Sequence, residues 1–262
     1  MRGAIVDLDG TVYRGGSLLP GAAEGVERLR NAGLDVLFFS NNPIKDGTAY
    51  AASLTELGIP VSPEEACSAG VVTAAYLREH HADDAILLVG AAGLRDQFRA
   101  ADLSLTADPD RADVLVASWT PEFDYDDMQA ALDAIDEGTA FLGTDPDRTF
   151  PTEDGFVPGS GAITGAVAAV VGRDPDAVLG KPSDAALEFA LDRLGAPPEE
   201  CLVVGDRLDT DLAMGDRAGM TTVLVLTGVA DREDLADSDV RPDYVIDRLG
   251  DVGSVLDDLA RG

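Results

Sequence analysis

Short apolar runs rich in β-branched residues recur along the chain, and helix-like stretches separate most of them. Because the runs are apolar throughout and do not alternate with polar residues, we expect strands whose two faces are both covered by helices. Strands that alternate with helices predict an α/β fold with mostly parallel sheets, and their number suits two α/β units. The predicted strands are Ala4–Val6, Val36–Phe39, Ala85–Val89, Val114–Ala117, Ala140–Leu142, Cys201–Val204, Thr222–Leu226 and Tyr244–Ile246.

Glycine and proline predict how the first strand connects to the second. The Gly15-Gly16 pair lies between short apolar or aromatic flanks and predicts a β-hairpin. A helix over Ala22–Asn31 is predicted next, because it begins just after a Pro-Gly pair and ends before Gly33. The following strand can then return parallel to the first and complete a right-handed βαβ unit.

The chain is strongly acidic. Its 262 residues include 49 Asp or Glu against 19 Lys or Arg, so the formal net charge is −30. This charge excludes a nucleic-acid-binding protein that works through a basic face, while 45% apolar residues are enough for a folded core. The acids comprise 36 Asp and 13 Glu, and the only lysines are Lys45 and Lys181. Because concentrated salt screens the repulsion among so many carboxylates, we expect a protein from a salt-loving organism.

Two further features bear on the cellular compartment. Cys67 and Cys201 are far apart in sequence and each lies beside apolar residues, which favours two buried thiols in a reducing compartment. The first nine residues contain Asp7 and Asp9, unlike a signal peptide, and no apolar run approaches the roughly 18 residues of a membrane span. We therefore expect a cytoplasmic protein with no membrane partner.

Two carboxylates follow the first predicted strand, in the sequence Asp7-Leu8-Asp9-Gly10-Thr11. In open α/β sheets, ligands bind at the carboxyl ends of parallel strands, and a turn at Gly10 would let both carboxylates face one cavity. One carboxylate can then attack phosphorus as a nucleophile while the other serves as general acid and then as general base. The pair is chemically sufficient for two-step hydrolysis of a phosphoester.

Two other segments carry groups that suit a phosphate. Ser40, Asn41 and Asn42 follow the second long strand, where a hydroxyl and backbone N–H groups can bind a phosphoryl oxygen. Taken alone, these residues are also typical of an ordinary turn with local hydrogen bonds. Lys181 lies in Gly180-Lys181-Pro182 of a chain that otherwise uses Arg, which indicates a compact ammonium that pairs with a phosphate and a carboxylate. A plain surface charge is the alternative for Lys181.

The strand Cys201–Val204 leads into an acidic segment that contains Asp206 and Asp211. Hard oxygen donors at a strand end suit a divalent cation, and no His or Cys cluster competes for a softer metal. We expect the carboxylates of Asp7 and Asp206 and the backbone carbonyl of Asp9 to coordinate Mg²⁺, with Asp211 completing or orienting the shell. Helix capping and turn formation are the alternative roles for Asp206 and Asp211.

Four motifs, DLDGTVYRGG, FFSNN, GKPS and GDRLDTD, occur in this order and each at a strand end. Together they resemble the haloacid dehalogenase superfamily, and the roughly 140 residues between Asn41 and Lys181 are similar to its class IIA branch of NagD-like or 4-nitrophenylphosphatase-like sugar phosphatases. The resemblance implies a Rossmann-like core over residues 1–70 and 176–262, with an inserted α/β cap over residues 71–175. It also implies a Mg²⁺-dependent phosphatase that acts on a small phosphorylated metabolite, and it allows a homodimer through the cap.

The same resemblance implies roles for individual residues. Asp7 is the expected nucleophile and Asp9 the expected acid/base. Ser40 and Lys181 are expected to bind the phosphate, beside the metal ligands named above. The remaining expected substrate-binding residues are Gly10, Thr11, Asn41, Asn42 and Asp147.

One stretch of the cap departs from the family pattern. LGTDPDRTFP followed by GFVPGSGAITG is similar to the family's T-N-P-D and P-G-x-G, except that Asp145 replaces the usual Asn. An extra negative charge facing an anionic substrate would weaken binding, which favours a different or less anionic leaving group. Asp147 is still expected to contact the substrate. The glycines around Ser160 depart from the spacing of a dinucleotide-binding loop, so that interpretation is not favoured.

Three other functions bear comparison with a phosphatase. Dehalogenation needs neither a metal nor the acid Asp9, so the presence of both argues against it. A phosphomutase of the same superfamily stays open. A non-enzymatic phospho-acceptor or binding module, in which Asp7 is phosphorylated and signals through a slow conformational change, also stays open. The retained Asp9 and the large cap favour turnover over such a module.

Overall fold

The computed structural model describes residues 1–152 and 155–261, and strands alternate with helices along most of this length. The predicted α/β fold with parallel sheets is confirmed. The strands are β1 (Gly3–Val6), β2 (Tyr13–Arg14), β3 (Ser17–Leu18), β4 (Asp35–Ser40), β5 (Ala66–Ser68), β6 (Ala85–Val89), β7 (Ser104–Thr106), β8 (Val114–Ala117), β9 (Ala140–Gly143), β10 (Thr149–Thr152), β11 (Gly155–Pro158), β12 (Ala177–Val178), β13 (Cys201–Gly205), β14 (Thr221–Val225) and β15 (Tyr244–Ile246). The helices are α1 (Ala22–Asn31), α2 (Gly47–Glu56), α3 (Ala69–His80), α4 (Ala92–Ala100), α5 (Tyr125–Ala134), α6 (Ser160–Val171), α7 (Asp184–Leu194), α8 (Ala213–Ala218), α9 (Asp234–Asp237) and α10 (Gly253–Leu259).

The chain divides into two compact units. The first comprises Met1–Ser40, Gly47–Cys67 and Ala186–Gly262, and the second comprises Asn41–Asp46 and Ser68–Ala185. Each unit contains its own parallel sheet and its own buried apolar cluster. None of the helices in residues 1–152 and 155–261 combines the length and the apolar character needed to cross a membrane.

In the described part of the first unit, the sheet has six strands in the order β15-β14-β13-β1-β4-β5. Strand β1 runs parallel to both β13 and β4, and β14 runs parallel to β13 and β15. Since these strands point the same way, the segments that follow β1, β4, β13 and β14 all begin at one edge of the sheet. Every residue of β1 and β13 is buried, as expected when helices cover both faces.

Helix α1 shows how the sequence covers this sheet. Its buried residues include Ala22, Val26 and Leu29, which lie about one helical turn apart on a single face. Gly25 lies on the same face, and a Cβ there would come closer than 3.0 Å to the backbone carbonyl of Leu249. The helix therefore approaches the segment at Leu249 more closely than any larger residue would allow.

The predicted hairpin after the first strand is confirmed. β2 and β3 pair antiparallel, and the turn residues Gly15 and Gly16 have φ angles of 56° and 81°. Positive φ at both central residues is the geometry that suits a two-residue hairpin turn. The helix predicted over Ala22–Asn31 is also confirmed, and Gly33 beyond its end has a φ of 84°.

In the second unit, the described residues form a parallel sheet in the order β12-β9-β8-β6-β7 and an antiparallel pair, β10-β11. Its apolar cluster includes Leu115, Phe141 and Val167, from β8, β9 and α6. The strands β8 and β9 are paired in register, with Ala117 opposite Gly143. Their carboxyl ends therefore lie side by side.

Candidate active site

Three predicted site residues of the first unit lie at neighbouring strand ends. Asp7 follows β1, whose last residue, Val6, pairs with Val204 of β13 and with Phe38 of β4. The N–H of Asp7 donates to the carbonyl of Val204 at 2.9 Å, which continues the ladder by one residue. Asp206 directly follows β13, and Ser40 is the last residue of β4. Parallel in-register pairing is therefore what positions these side chains.

Three carboxylates converge at this edge. Asp7, Asp206 and Asp211 are all buried, and one oxygen of each lies within 4.8 Å of the others. At that separation each pair of ionised carboxylates repels by about 3 kcal/mol, taking an effective dielectric constant of about 20. A divalent cation removes this repulsion, and three carboxylate oxygens are the hard donors that such a cation prefers. The residues present therefore fit a hard divalent metal ion.

The loop after β14 holds Asp206 in place. The N–H of Val229 donates to Asp206 Oδ2 at 2.7 Å, and the N–H of Ala230 donates to the backbone carbonyl of Asp206 at 2.9 Å. The hydroxyl of Thr227 donates to the carbonyl of Gly10 at 2.6 Å. This loop therefore links the two segments that carry the acidic residues.

Two glycines allow that close approach. Gly10 has a φ of 89°, and a Cβ there would lie closer than 3.0 Å to Asp206 Oδ2 and to Gly228 Cα. A Cβ on Gly228 would collide with the Asp206 carboxylate itself. Gly10 is therefore required both by its backbone conformation and by space, as the predicted turn at this position indicated. Sequence reasoning missed the loop from Thr227 to Val229, although a Thr-Gly pair directly after an apolar strand was a usable signal.

Asp211 lies in a single π-helical turn, Leu208–Leu212, which precedes α8. Such turns are rare and occur often at functional sites. The hydroxyl of Thr210 donates to Asp211 Oδ2 at 3.3 Å, and the Asp211 side chain lies directly against Gly205. The wider turn thus points Asp211 back toward the end of β13.

The second carboxylate of the first motif, Asp9, has a tyrosine as its neighbour. The hydroxyl of Tyr13 donates to Asp9 Oδ2 at 3.3 Å, and the backbones of the two residues form an isolated β-bridge. Burial raises the pKa of Tyr13, and Tyr50 and the carboxylates of Asp9 and Asp7 raise it further. The Tyr13 phenol therefore stays protonated and acts as a donor.

The remaining predicted residues of the first unit are Ser40 and Thr11. Ser40 is buried, and its Oγ accepts a hydrogen bond from the hydroxyl of Tyr50 at 3.2 Å. Thr11 is also buried, and its hydroxyl has no hydrogen-bond partner among the described residues. Both hydroxyls belong to the same unit as the carboxylate cluster.

Four other predicted residues, Asn41, Asn42, Asp147 and Lys181, belong to the second unit. The amide of Asn41 pairs with the backbone of Lys181: its Oδ1 accepts from the Lys181 N–H at 2.8 Å, and its Nδ2 donates to the Lys181 carbonyl at 3.0 Å. The same Nδ2 donates to Asp147 Oδ1 at 3.4 Å. Asn41 thus brings Lys181 and Asp147 together across more than 100 residues of sequence. Asn42 Oδ1 accepts from the N–H of Ile44 at 3.1 Å, as in a local turn.

The structure corrects one expectation about Asp145. This side chain is fully buried in the second unit, so it does not present an exposed negative charge. Burial raises the pKa of Asp145 well above its usual range, and the nearby carboxyl of Asp147 raises it further. Sequence comparison alone treated Asp145 as ionised because it could not show that the position is inaccessible to water.

Comparisons with known proteins agree with this architecture. A family model described as haloacid dehalogenase-like hydrolase matches residues 4–104, and a second, HAD-hydrolase-like model matches residues 178–252. The sugar phosphatase AraL of Bacillus subtilis is 34% identical over 256 residues, which cover 98% of this chain and 93% of AraL. The structure of a p-nitrophenyl phosphatase from Archaeoglobus fulgidus superposes with a TM-score of 0.91, at 36% identity, over 97% of this chain and 98% of that one. NagD from Escherichia coli K-12 gives a TM-score of 0.86, at 29% identity, over 96% and 98% of the two chains.

Proposed function

The chain belongs to the haloacid dehalogenase-like hydrolases, and from that premise we propose that it hydrolyses small phosphomonoesters, such as sugar phosphates, with Mg²⁺ and through an aspartyl-phosphate intermediate. The observation that carries the proposal is the buried cluster of Asp7, Asp206 and Asp211. The relatives and structures named above, whose names describe phosphatases of sugar phosphates and aryl phosphates, support the reaction class.

In the proposed first step, a carboxylate oxygen of Asp7 attacks phosphorus and the bond from phosphorus to the leaving oxygen breaks. Asp9 gives its proton to that oxygen, so the alcohol leaves neutral. In the second step, Asp9 takes a proton from water, and the water oxygen attacks the phosphorus. The bond between phosphorus and Asp7 breaks, which releases inorganic phosphate and restores both carboxyl groups.

The other residues bind and orient the phosphoryl group. Mg²⁺ held by the carboxylates of Asp7, Asp206 and Asp211 and by the backbone carbonyl of Asp9 would offset charge on the phosphoryl oxygens. Lys181 supplies a further positive charge, and the hydroxyl of Ser40 donates a hydrogen bond.

The substrate-binding residues are proposed to act in different ways: some offer groups to the phosphate, and others position Lys181 or contact the rest of the substrate. The Thr11 hydroxyl suits a substrate oxygen, since it is buried without a partner among the described residues. Gly10 and Asn42 contribute backbone groups. Asn41 acts by holding Lys181, and Asp147 contacts the organic part of the substrate. We propose that the cap spans residues 71–175 and therefore includes Asp147. The core then consists of residues 1–70 and 176–262. A homodimer formed through this cap stays a prediction.

We also propose a halophilic cytoplasm as the working environment. The net charge of −30 and the excess of Asp over Glu support high salt. Cys67 and Cys201 are both buried free thiols, which supports a reducing compartment.

The test is release of p-nitrophenol from p-nitrophenyl phosphate in molar KCl, with and without Mg²⁺. We expect Mg²⁺-dependent turnover by the wild type and a loss of at least about 10⁴-fold in Asp7→Asn, since the amide cannot act as the nucleophile. Asp209→Asn is the matched control, because Asp209 is exposed and pairs with Arg207 outside the carboxylate cluster. Full activity of Asp7→Asn would contradict the assigned nucleophile.

The intermediate is tested with Asp9→Asn. Without the general base, the phosphorylated Asp7 should accumulate and be visible as one added phosphoryl group in the mass of the denatured protein. A wild type that holds this group for minutes without turnover would instead support a phospho-acceptor module.

A further inference from the structure

A second cluster of buried polar groups lies in the second unit, where β8 and β9 end side by side. Ser118 follows β8, and Thr144 and Asp145 follow β9; all three side chains have an exposed fraction of 0%. Ser118 Oγ lies 2.9 Å from Thr144 Oγ1, and the Thr144 hydroxyl donates to Asp145 Oδ2 at 3.0 Å. Asp145 Oδ1 accepts from the N–H of Asp147 at 3.2 Å. The carboxyl group is therefore enclosed by hydroxyls and one backbone N–H.

Burial and the carboxyl of Asp147 act against the ionised form of Asp145, and they outweigh the hydrogen bonds from Thr144 and from the N–H of Asp147, which favour it. No Lys, Arg or His of the described residues forms an ion pair with Asp145. The neighbouring residues that carry charge are Asp147 in its own loop and Lys181, which follows Gly180 on the adjacent segment. The other residues that face Asp145, from β8, α6 and the segment at Asn41, are uncharged. An ionised carboxylate without a cationic partner is costly to bury, and a second carboxylate nearby adds to that cost.

The backbone around the cluster is closely packed. The N–H of Gly161 donates to the carbonyl of Asp147 at 2.9 Å, so the loop is fastened to the start of α6. A Cβ on Gly159, Gly161 or Gly180 would come closer than 3.0 Å to this loop, and on Gly180 it would meet Asp145 Cβ at 2.8 Å. The absence of side chains at these three glycines therefore lets the backbone pack closely against the loop from Thr144 to Asp147 and restrict its position.

We propose that Asp145 works as a neutral carboxylic acid, a positioning residue that fixes the loop from Thr144 to Asp147 and leaves Asp147 as the only carboxylate of that loop available to a substrate. In the neutral form, the hydrogen bond between Thr144 and Asp145 is reversed: Oδ2 carries the proton and donates to Thr144 Oγ1. Thr144 then donates to Ser118 Oγ, a pair in which either hydroxyl can be the donor. Oδ1 keeps its hydrogen bond from the N–H of Asp147. The raised pKa of Asp145, caused first by burial and then by Asp147, agrees with this assignment.

The proposal has a consequence for substrate binding, and this part rests on the proposed phosphatase function. When Asp145 loses its proton at high pH, the loop carries two adjacent negative charges. Their repulsion should displace Asp147 and raise KM for a phosphorylated substrate, while the chemical step at Asp7 is unaffected. We expect KM of the wild type to rise about tenfold across this ionisation, which corresponds to one pK unit of interaction.

The first arm of the test does not use activity. A carboxyl whose pKa is raised on folding keeps its proton in the native state after the unfolded chain has lost it near pH 3.9. Stability of the wild type therefore falls as pH rises above that value, and Asp145→Asn, which has no proton to lose, does not share this fall. In urea titrations at increasing pH, the unfolding midpoint of Asp145→Asn should therefore rise relative to that of the wild type.

Asp136→Asn is the matched control, from a turn of the same unit. Hydrogen bonds from Gly138 N–H, from the Thr139 hydroxyl and from its N–H lower the pKa of Asp136. The Asp136 carboxylate therefore stabilises the native state above the pKa that Asp136 has in the unfolded chain, and this effect is lost as pH falls. The unfolding midpoint of Asp136→Asn should thus fall relative to that of the wild type as pH rises, the opposite of the shift expected for Asp145→Asn. A difference between Asp145→Asn and the wild type that does not change with pH would overturn the proposal.

Two further measurements complete the test. If Asp145→Asn does not fold, the infrared spectrum of the native wild type at neutral pH should still show the carbonyl band of a protonated carboxyl, lost on unfolding; absence of that band refutes the proposal. In the activity arm, KM of Asp145→Asn should stay flat at alkaline pH while that of the wild type rises. Parallel KM profiles would overturn the assigned role, whereas an inactive wild type with the expected stability shifts would contradict only the phosphatase.

Discussion

Gly228→Ala changes a residue outside the four sequence motifs and should disable the proposed metal site. Gly228 is not among the glycines with positive φ, so alanine fits its backbone conformation and the only obstacle is space. The Cβ of the introduced alanine would lie 1.7 Å from Asp206 Oδ2 and 2.3 Å from both Asp206 Cβ and Cγ. The substitution thus acts on one carboxylate of the cluster.

The size of the effect follows from these distances. Contacts of a Cβ become ordinary at 3.4 Å, so the oxygen of Asp206 and the loop must separate by 3.4 − 1.7 = 1.7 Å. Proteins hold Mg²⁺ at about 2.0–2.1 Å with little tolerance, so a displacement of this size would remove Asp206 from the proposed ligand set. Changes to groups that orient metal ligands commonly cost about 10–100-fold in affinity or activity, and we expect a loss at the upper end of that range. Crowding should also lower the free energy of unfolding by about 1–3 kcal/mol.

The assay is the Mg²⁺ dependence of p-nitrophenyl phosphate hydrolysis, with circular dichroism to confirm that the variant is folded. Gly165→Ala is the matched control, because a Cβ at Gly165 meets nothing within 4 Å and lies in α6. It should leave the Mg²⁺ titration unchanged and stabilise the helix by up to about 1 kcal/mol. A Gly228→Ala enzyme with the Mg²⁺ half-saturation and kcat of the wild type would show that the loop after β14 does not set the position of Asp206.

Two further predictions concern stability. The melting temperature should rise with added KCl, by about 2–4 °C for each kcal/mol gained, because salt screens a net charge of −30; a rise no larger than that in sucrose of equal water activity would contradict the electrostatic cause. Gly25→Ala should destabilise the first unit by about 1–3 kcal/mol in urea titrations, because its Cβ would collide with the carbonyl of Leu249. An unchanged midpoint would refute the close approach of α1 to Leu249.

The elements that the sequence predicted well are those with a local signal. The eight apolar runs are all strands, since an uninterrupted apolar run bounded by turn residues carries its own evidence. Short strands such as Ser104–Thr106 and Ala177–Val178 were missed, because three or two residues are too few to show a pattern. Asp7 and Asp206 could be placed together because parallel strands bring their carboxyl ends to one edge.

What the sequence did not show depends on contacts between distant segments. The hydrogen bond from Thr227 to Gly10 joins residues 217 positions apart, and the pairing of Asn41 with Lys181 spans 140. Neither has a local pattern. The proposed neutral state of Asp145 also depends on distant segments, because Ser118 and Gly180 bury this side chain together with its own loop.

The segment Asn41–Asp46 follows directly on β4 of the first unit but belongs to the second. Gln97 of α4 donates to the carbonyls of Pro43 and Ile44, and Asn41 pairs with Lys181. Exchange of the second unit between relatives, in evolution or by design, therefore requires more than one continuous segment. A graft that carries only Ser68–Ala185 omits six residues of that unit, including Asn41, whose amide pairs with the backbone of Lys181.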